Sequence, residues 1–334
     1  MDIYVLARYP FLSEAKEVVR RENVRTEEIL HDPIYERARD IGRQRVTDAL
    51  EEGVVGGYPV ASETDALMNI FSYPIARMIV ASVGHPYFRG RYALAEAKRA
   101  YEFLQGESRD FLLQVARELE VAVDDDLRLH FADYLRHAPT RSQRWKLVNM
   151  PLSQGWLSLD HRELARVLQN AIQHRLFEEL RDMRPPSEIS NVFREEVTAI
   201  RNTLQQREMR EKAEMGEASV AKLPPCMRML LAAIQTGANV PHVGRFTLVS
   251  FLNAIGMDTE EILGLFAASP DFDRERTRYQ IEHITGKVSG TDYTPPSCAS
   301  IKTWGLCPTD KMDAICRRVN HPLSYYRIKG RRRK

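Results

Sequence analysis

Four cysteines, Cys226, Cys298, Cys307 and Cys316, are the only thiols in 334 residues, and all fall in the last third of the chain. They stand 72, 9 and 9 positions apart. Three chemistries use thiols in such a set. Structural zinc favours cysteines paired about two to four residues apart, because one short knuckle then fixes two tetrahedral ligands, and no such pair exists here. An iron–sulfur cluster also takes four thiolates, and separate elements can reach its well-spaced corners. Disulfides need an oxidising compartment. The opening MDIYVLARYP lacks the basic flank and apolar core of a signal peptide. The chain is therefore expected inside a cell, where thiols stay reduced. Spacing leaves zinc and a cluster open, with disulfides the weaker reading.

The elements that must position these thiols are mostly helical. A helix is expected from Pro225 and Cys226 to Gln235, since proline suits the first turn. A second uses Phe246, Val249, Phe251, Leu252 and Ile255, and ends at Gly256. Thr259 is read as the cap of a third, and Asp273 as the start of a fourth ending at Gly286. The interval 289–308 is rich in Pro, Gly, Ser and Thr and reads as irregular. Thr309 is then expected to cap a last helix carrying Ile315, Cys316 and Val319.

Upstream, Ser13 and Thr26 are read as helix caps, the second helix being interrupted at Pro33. Ser62 followed three residues on by Asp65 is a capping-box start, and the helix it opens should break or kink at Pro74. Leu94, Ala97, Tyr101 and Leu104 keep a helical period up to Gly106. A smaller mixed unit follows: helices from Ser108 and over about Leu127 to His137, a hairpin turning at Ser153-Gln154-Gly155, and a helix opened by Asp160 and Glu163. The charged stretch 194–221 is a solvated helix passing into either a tether or a plain surface segment. The fold class expected is mainly α. A helical N-terminal domain (1–210) with a small α/β subdomain (about 108–180) leads through a linker (211–222) to an all-α-rich C-terminal domain (223–334).

The net charge of +2 hides an asymmetry. Residues 211–334 carry 18 Lys and Arg against 13 Asp and Glu, whereas 1–210 carry 30 against 33. The thiol-bearing half is the basic half, a weak pointer to a polyanion. No run of about eighteen apolar residues is visible, so no membrane span is expected. Asp124, Asp125 and Asp126 lie in a row, which sends alternate side chains apart. That is a turn rather than the clustered carboxylates of a two-metal centre. No Walker-type glycine loop and no G-x-S-x-G is present, so the chain is expected to be non-catalytic by itself.

Several segments, in order, resemble the large subunit of the archaeal and eukaryotic DNA primase: LPPCMRMLL around Cys226, PHVGRFTLVSFLNAIGM (241–257), RYQIEHITG (278–286), TDYTPPSC (291–298) and HPLSYYR (321–327). YPFL (9–12), FSYPIAR (71–77) and the LVN hairpin resemble its archaeal form. This resemblance implies a 4Fe–4S cluster on Cys226, Cys298, Cys307 and Cys316. It also implies an N-terminal domain that docks the small catalytic subunit, and a regulatory role in making RNA primers for replication. The implied partners are that subunit in a heterodimer, single-stranded DNA template, RNA or DNA primer and nucleoside triphosphate. The implied location is the cytoplasm of an archaeal-type cell, at replication sites. Readings from other classes are an iron–sulfur repair enzyme and a zinc-stabilised interaction module.

Starting a chain from two nucleotides requires a grip on a triphosphate and on unstacked bases, hence Arg and His for phosphate and aromatic faces for bases. Carried over position by position, the family's nucleotide-binding surface falls on Arg228, His242, Arg245, Tyr279, His283 and Tyr293. Local ion pairs for the arginines and simple packing for the tyrosines are the plainer readings. This chain departs from the eukaryotic pattern with Asn239 and Pro241 in the loop, Glu282 in place of Arg and Asn253 in place of Lys. Lys302, Arg317, Arg318 and the basic tail are further candidates for phosphate. Tyr325, Tyr326 and Arg327 read as either a core edge or a stacking patch, core being the plainer reading.

Overall fold

The computed structural model describes every residue except 141, 216–217, 239, 268–271, 286–292 and 332–334. The protein is mainly α, with 69% of it helical. It divides into two compact units, 1–203 and 204–334. The first holds α1 (Ile3–Arg8), α2 (Ser13–Arg21), α3 (Thr26–His31), α4 (Glu36–Glu51), α5 (Glu63–Val83), α6 (Pro86–Leu104) and α7 (Arg109–Glu118). Then come β1 (Arg128–His130), α8 (Phe131–His137), β2 (Leu152–Ser153), β3 (Trp156–Ser158), α9 (His161–Asp182) and α10 (Ser187–Val192). Helix α11 (Arg194–Met215) crosses the division and enters the stretch read from sequence as linker.

Local chemistry sets most helix starts. Ser62 accepts from the Asp65 N–H while Asp65 reaches back to the Ser62 N–H, the reciprocal box that opens α5. Asp160 and Glu163 do the same for α9. Ser13 is a correction: the extended, buried Leu12 takes the cap position. Ser13 lies inside α2, its N–H held by the Glu118 carboxylate. Helix α5 also runs on through Pro74 rather than ending there. Phe71, Ile75, Ile79 and Val80 are all buried around that point, and such packing outweighs one lost backbone hydrogen bond. Contrary to expectation, α5 is long and apolar enough to cross a membrane. Its apolar window is 83% buried inside the protein, as in a core helix.

The small sheet has order β1-β3-β2, all antiparallel. Residues 128–130, expected to be helical, form its edge strand β1 instead. Leu127 takes a positive φ of 57°, which interrupts any helix, and Leu129 is fully buried opposite Leu157. Gln154 and Gly155, with φ of 50° and 86°, make the tight hairpin turn between β2 and β3. Leu129 and Leu157 join Leu112, Val115, Leu164 and Leu168 in one core with α7 and α9.

On α8, His137 is buried with its ring 6.0 Å from that of His174. Burial lowers its pKa below 6.5; Asp133 pulls it back up, while His174 and Arg136 push it further down. The folded state therefore holds the ring neutral, and the unfolded chain takes up the proton first. Stability is expected to fall as pH drops below about 6.5, with this residue adding up to about 1.4 kcal/mol per pH unit. Urea unfolding from pH 7.5 to 5.5 should show a flatter profile for His137→Gln; an unchanged profile would refute the assignment.

The second unit contains α12 (Pro225–Gln235), α13 (His242–Ala254), α14 (Thr259–Phe266), α15 (Arg274–Ile284), α16 (Cys298–Thr303) and α17 (Pro322–Arg331) around its own core. Asp258, not Thr259, caps α14, in a reciprocal box with Glu261. Asp273 caps α15 through the Arg276 N–H. The expected end at Gly286 lies outside the described residues. Helix α16, in a stretch read as irregular, starts on a Ser297 cap. The helix expected from Thr309 does not form. Asp313 accepts the N–H groups of Ile315 and Cys316 at 3.0 and 2.9 Å, folding a tight turn, and the last helix begins only at Pro322.

Candidate functional site

Among the described residues of the second unit, two cavities share no lining residue. The smaller is lined by all four cysteines, with Lys302 and Tyr325 among their neighbours. Each thiol comes from a different local device. Cys226 follows Pro225 in the first turn of α12, and Cys298 opens α16 with its N–H on the Asn320 carbonyl at 3.0 Å. Cys307 follows a turn at Gly305, whose φ is 69°, and Cys316 sits in the Asp313 turn. Asp313 also accepts from the Tyr325 hydroxyl at 2.7 Å, tying this turn to α17. Sequence reasoning passed over Asp313, although an Asp two and three residues before the groups it holds is a familiar turn signal.

None of the four cysteines is in a disulfide. Burial, then the neighbouring thiols, pushes Cys226 up to about 12. Burial likewise raises Cys298 and Cys316, with Cys307 adding to the first effect. Burial of Cys226, Cys298 and Cys316 opposes their ionisation, and a bound metal would reverse that balance. Among the described residues no three His, Cys, Asp or Glu are grouped closely enough for a metal ion. A mononuclear site needs its sulfurs about 2.3 Å from one point, whereas a cluster accepts ligands spread around a larger core. An all-sulfur donor set lining one cavity has the chemistry that a cluster or a zinc ion would take.

The larger cavity, about 410 Å³, lies among α13, α14 and α15. His242, Arg245, Phe246 and Val249 line it from α13, at the i, i+3, i+4, i+7 spacing that puts them on one helix face. Tyr279 and His283, one turn apart on α15, face it with rings 6.4 Å apart. Tyr293 closes it, edge-on to Phe246 at 5.6 Å. Tyr279 is 59% exposed and Tyr293 37%, so both offer ring surface to a ligand. Arg245 is oriented by a hydrogen bond from Nε to the Val240 carbonyl at 3.3 Å.

Five of the six residues picked from sequence for nucleotide or nucleic acid thus share one cavity. Arg228 does not. It is exposed on α12 beside the thiols, pairs with no carboxylate among the described residues, and its charge acts on Tyr325. Thr277 and Gln280 also line the larger cavity and were missed; their three-residue spacing on α15 was the available signal. Glu282 is engaged with Arg278 at 3.8 Å. Asn239, Thr291 and Asp292 lie outside the described residues. Tyr325 and Tyr326 are both buried, as expected of core. Asp124 is held by the Arg128 backbone and side chain, while Asp125 and Asp126 face solvent.

Residues 216–326 match the family described as the C-terminal domain of the large subunit of eukaryotic and archaeal DNA primase. That segment holds both cavities, and the similarity extends far beyond it. The DNA primase large subunit PriL of Methanosarcina acetivorans is 39% identical over 331 residues, covering 98% of this chain and 88% of its own length. Those of Methanocella arvoryzae and Halobacterium salinarum are 38% and 35% identical, each with about nine-tenths of its length covered. The chain belongs to the DNA primase large subunit family, and its function is that of the regulatory large subunit in DNA replication.

Proposed function

We propose that this protein is non-catalytic by itself and forms a heterodimer with a small catalytic subunit. Its second unit supplies the grip on template and initiating nucleotide that starting a chain demands. The convergence of His242, Arg245, Tyr279, His283 and Tyr293 on one cavity carries this reading. A guanidinium and two imidazoles suit a triphosphate, and exposed tyrosine faces suit an unstacked base. In the same reading the four cysteines hold a 4Fe–4S cluster, whose chemistry there is to cross-link α12, α16 and the two thiol-bearing turns. The chain's own residues do the binding. Arg245 is positioned by Val240, Tyr293 is braced by Phe246, and Asp313 fixes the turn bearing Cys316.

We infer that the small subunit docks on the sheet region of the first unit. Phe131 and Leu135 are exposed one turn apart on α8, and Leu152 and Val148 are exposed on the hairpin and the turn before it. Apolar side chains left exposed on neighbouring stretches of chain favour an interaction surface there. The cell interior, where replication occurs, is the compartment proposed.

With the reconstituted heterodimer, Arg245→Ala should slow formation of the first dinucleotide on the order of tenfold to a hundredfold, the effect of losing about 1.5–3 kcal/mol of charged hydrogen bonding. Extension of a preformed primer should change little. Equal losses in both steps would contradict the assignment.

A further inference from the structure

Residues 320–326, which run into the first turns of α17, bond to two of the thiol-bearing stretches. The Asn320 carbonyl accepts the Cys298 N–H at 3.0 Å. His321 reaches the segment that leads into the same cysteine. Its Nδ1 accepts the Leu323 N–H at 3.2 Å, which leaves the ring proton on Nε2, and Nε2 meets the Pro295 carbonyl at 3.1 Å. One ring thus caps the start of α17 and ties down the approach to Cys298.

Pro322 and Tyr325 line the thiol cavity itself. The Tyr325 hydroxyl donates to Asp313 at 2.7 Å and accepts from the Lys329 Nζ at 3.1 Å. Asp313 in turn accepts the Cys316 N–H at 2.9 Å, so this hydroxyl stands two hydrogen bonds from the backbone of a second cysteine. The next residue turns the other way. Tyr326 is buried in the core of the unit, edge-on to Phe251 at 6.0 Å, and its hydroxyl accepts the Ser219 N–H at 2.8 Å. One tyrosine anchors the segment on apolar core while its neighbour reaches the thiols.

All these bonds join protein atoms, so they order Cys298 and Cys316 without help from a metal. Ligands ordered beforehand lose less freedom when an ion binds, and the geometry they hold resists its departure. Between the two cysteines lie only the six residues of α16 and short turns, which makes restraint from α17 the more valuable. We propose that His321 and Tyr325 are positioning residues of the thiol centre. They preset Cys298 and Cys316, and so govern how tightly metal is kept, although neither supplies a ligand. This inference rests on the reading that the four cysteines hold a cluster.

The test uses the full chain purified anaerobically. Iron content and visible absorbance are measured first, and then the rate at which excess ferrozine, with dithionite as reductant, removes the iron. Tyr325→Phe deletes one hydroxyl and should speed release about tenfold. His321→Ala/Tyr325→Phe should approach about a hundredfold, the range seen when groups that orient metal ligands are lost. Tyr326→Phe is the control, because its hydroxyl bonds to Ser219 rather than to the thiol turns. It should lower the thermal midpoint about as much as Tyr325→Phe, yet release iron at the parent rate. Tyr325→Phe with the parent's release rate overturns the proposal. Equal acceleration in Tyr326→Phe overturns it too, since the effect would then be one of general stability. Parent protein lacking iron and visible absorbance sinks instead the cluster reading on which the proposal stands.

Discussion

Glu96→Gln is expected to destabilise the first unit by about 3–5 kcal/mol, the cost of removing one partner from a buried ion pair. Arg45 is wholly buried, and its NH1 donates to both Glu96 oxygens at 2.7 and 2.9 Å. Its Nε donates to the Ser72 hydroxyl, and Tyr92 donates to Glu96 at 2.7 Å. Nearby Arg99 is only 5% exposed, and neither its Nε nor its NH1 has a partner. Burial first, and then the charge of Arg45, lowers the pKa of Arg99 to about 10. Glu96 is thus the counter-charge for two interior cations, and neutralising it leaves both uncompensated. The thermal midpoint should fall by about 6–20 °C at the sensitivity usual for a unit of this size. The double variant Arg45→Met/Glu96→Leu should recover only part of the loss, because it removes one stranded charge while buried Arg99 stays uncompensated. A single variant within 1 kcal/mol of the parent would show that Glu96 does not have this role.

Replacing Cys226 by serine should have the second large effect, on the other unit. If the four thiols hold a cluster, anaerobically purified parent protein absorbs near 400 nm, and the serine variant should lose most of its iron and that band. Folding free energy should fall as well. Structural metal sites supply on the order of 10 kcal/mol of folding free energy, and here the centre would join segments that are otherwise loosely constrained. The interval from Cys298 to Cys316 contains one short helix and two single turns, too little to bury a core unaided. Proteolysis after metal loss should cut within 298–320 before it cuts α12 or α13. A serine variant with the parent's iron content and melting curve would remove Cys226 from the ligand set, and with it the account of this cavity.

Much of the helical scaffold was legible locally. Ser62 with Asp65, Asp160 with Glu163, and Ser108 signal helix starts through bonds made within three residues, so no distant contact is needed to read them. The errors fell where a distant or less obvious group took over. Ser13 lost the cap position to Leu12, which is buried among helices remote in sequence. Pro74 failed to end α5 because packing on nearly every side of that helix outweighs one missing donor. Residues 128–130 became a strand because Leu129 meets Leu157, twenty-eight positions away. The helix expected from Thr309 gave way to the Asp313 turn, which Tyr325 from the last helix completes.

By itself the sequence determined the mainly α class, the concentration of thiols and basic charge in one region, and the residue types suited to phosphate and bases. These depend on composition and on contacts spanning a few residues. Tertiary structure alone decided that Cys226 meets three thiols more than seventy positions away, and that five of six chosen residues share a cavity while Arg228 sits with the cysteines. The reason is physical. A helix fixes which side chains share its face, but which faces meet depends on burying apolar surface over the whole unit, and no local window contains that sum.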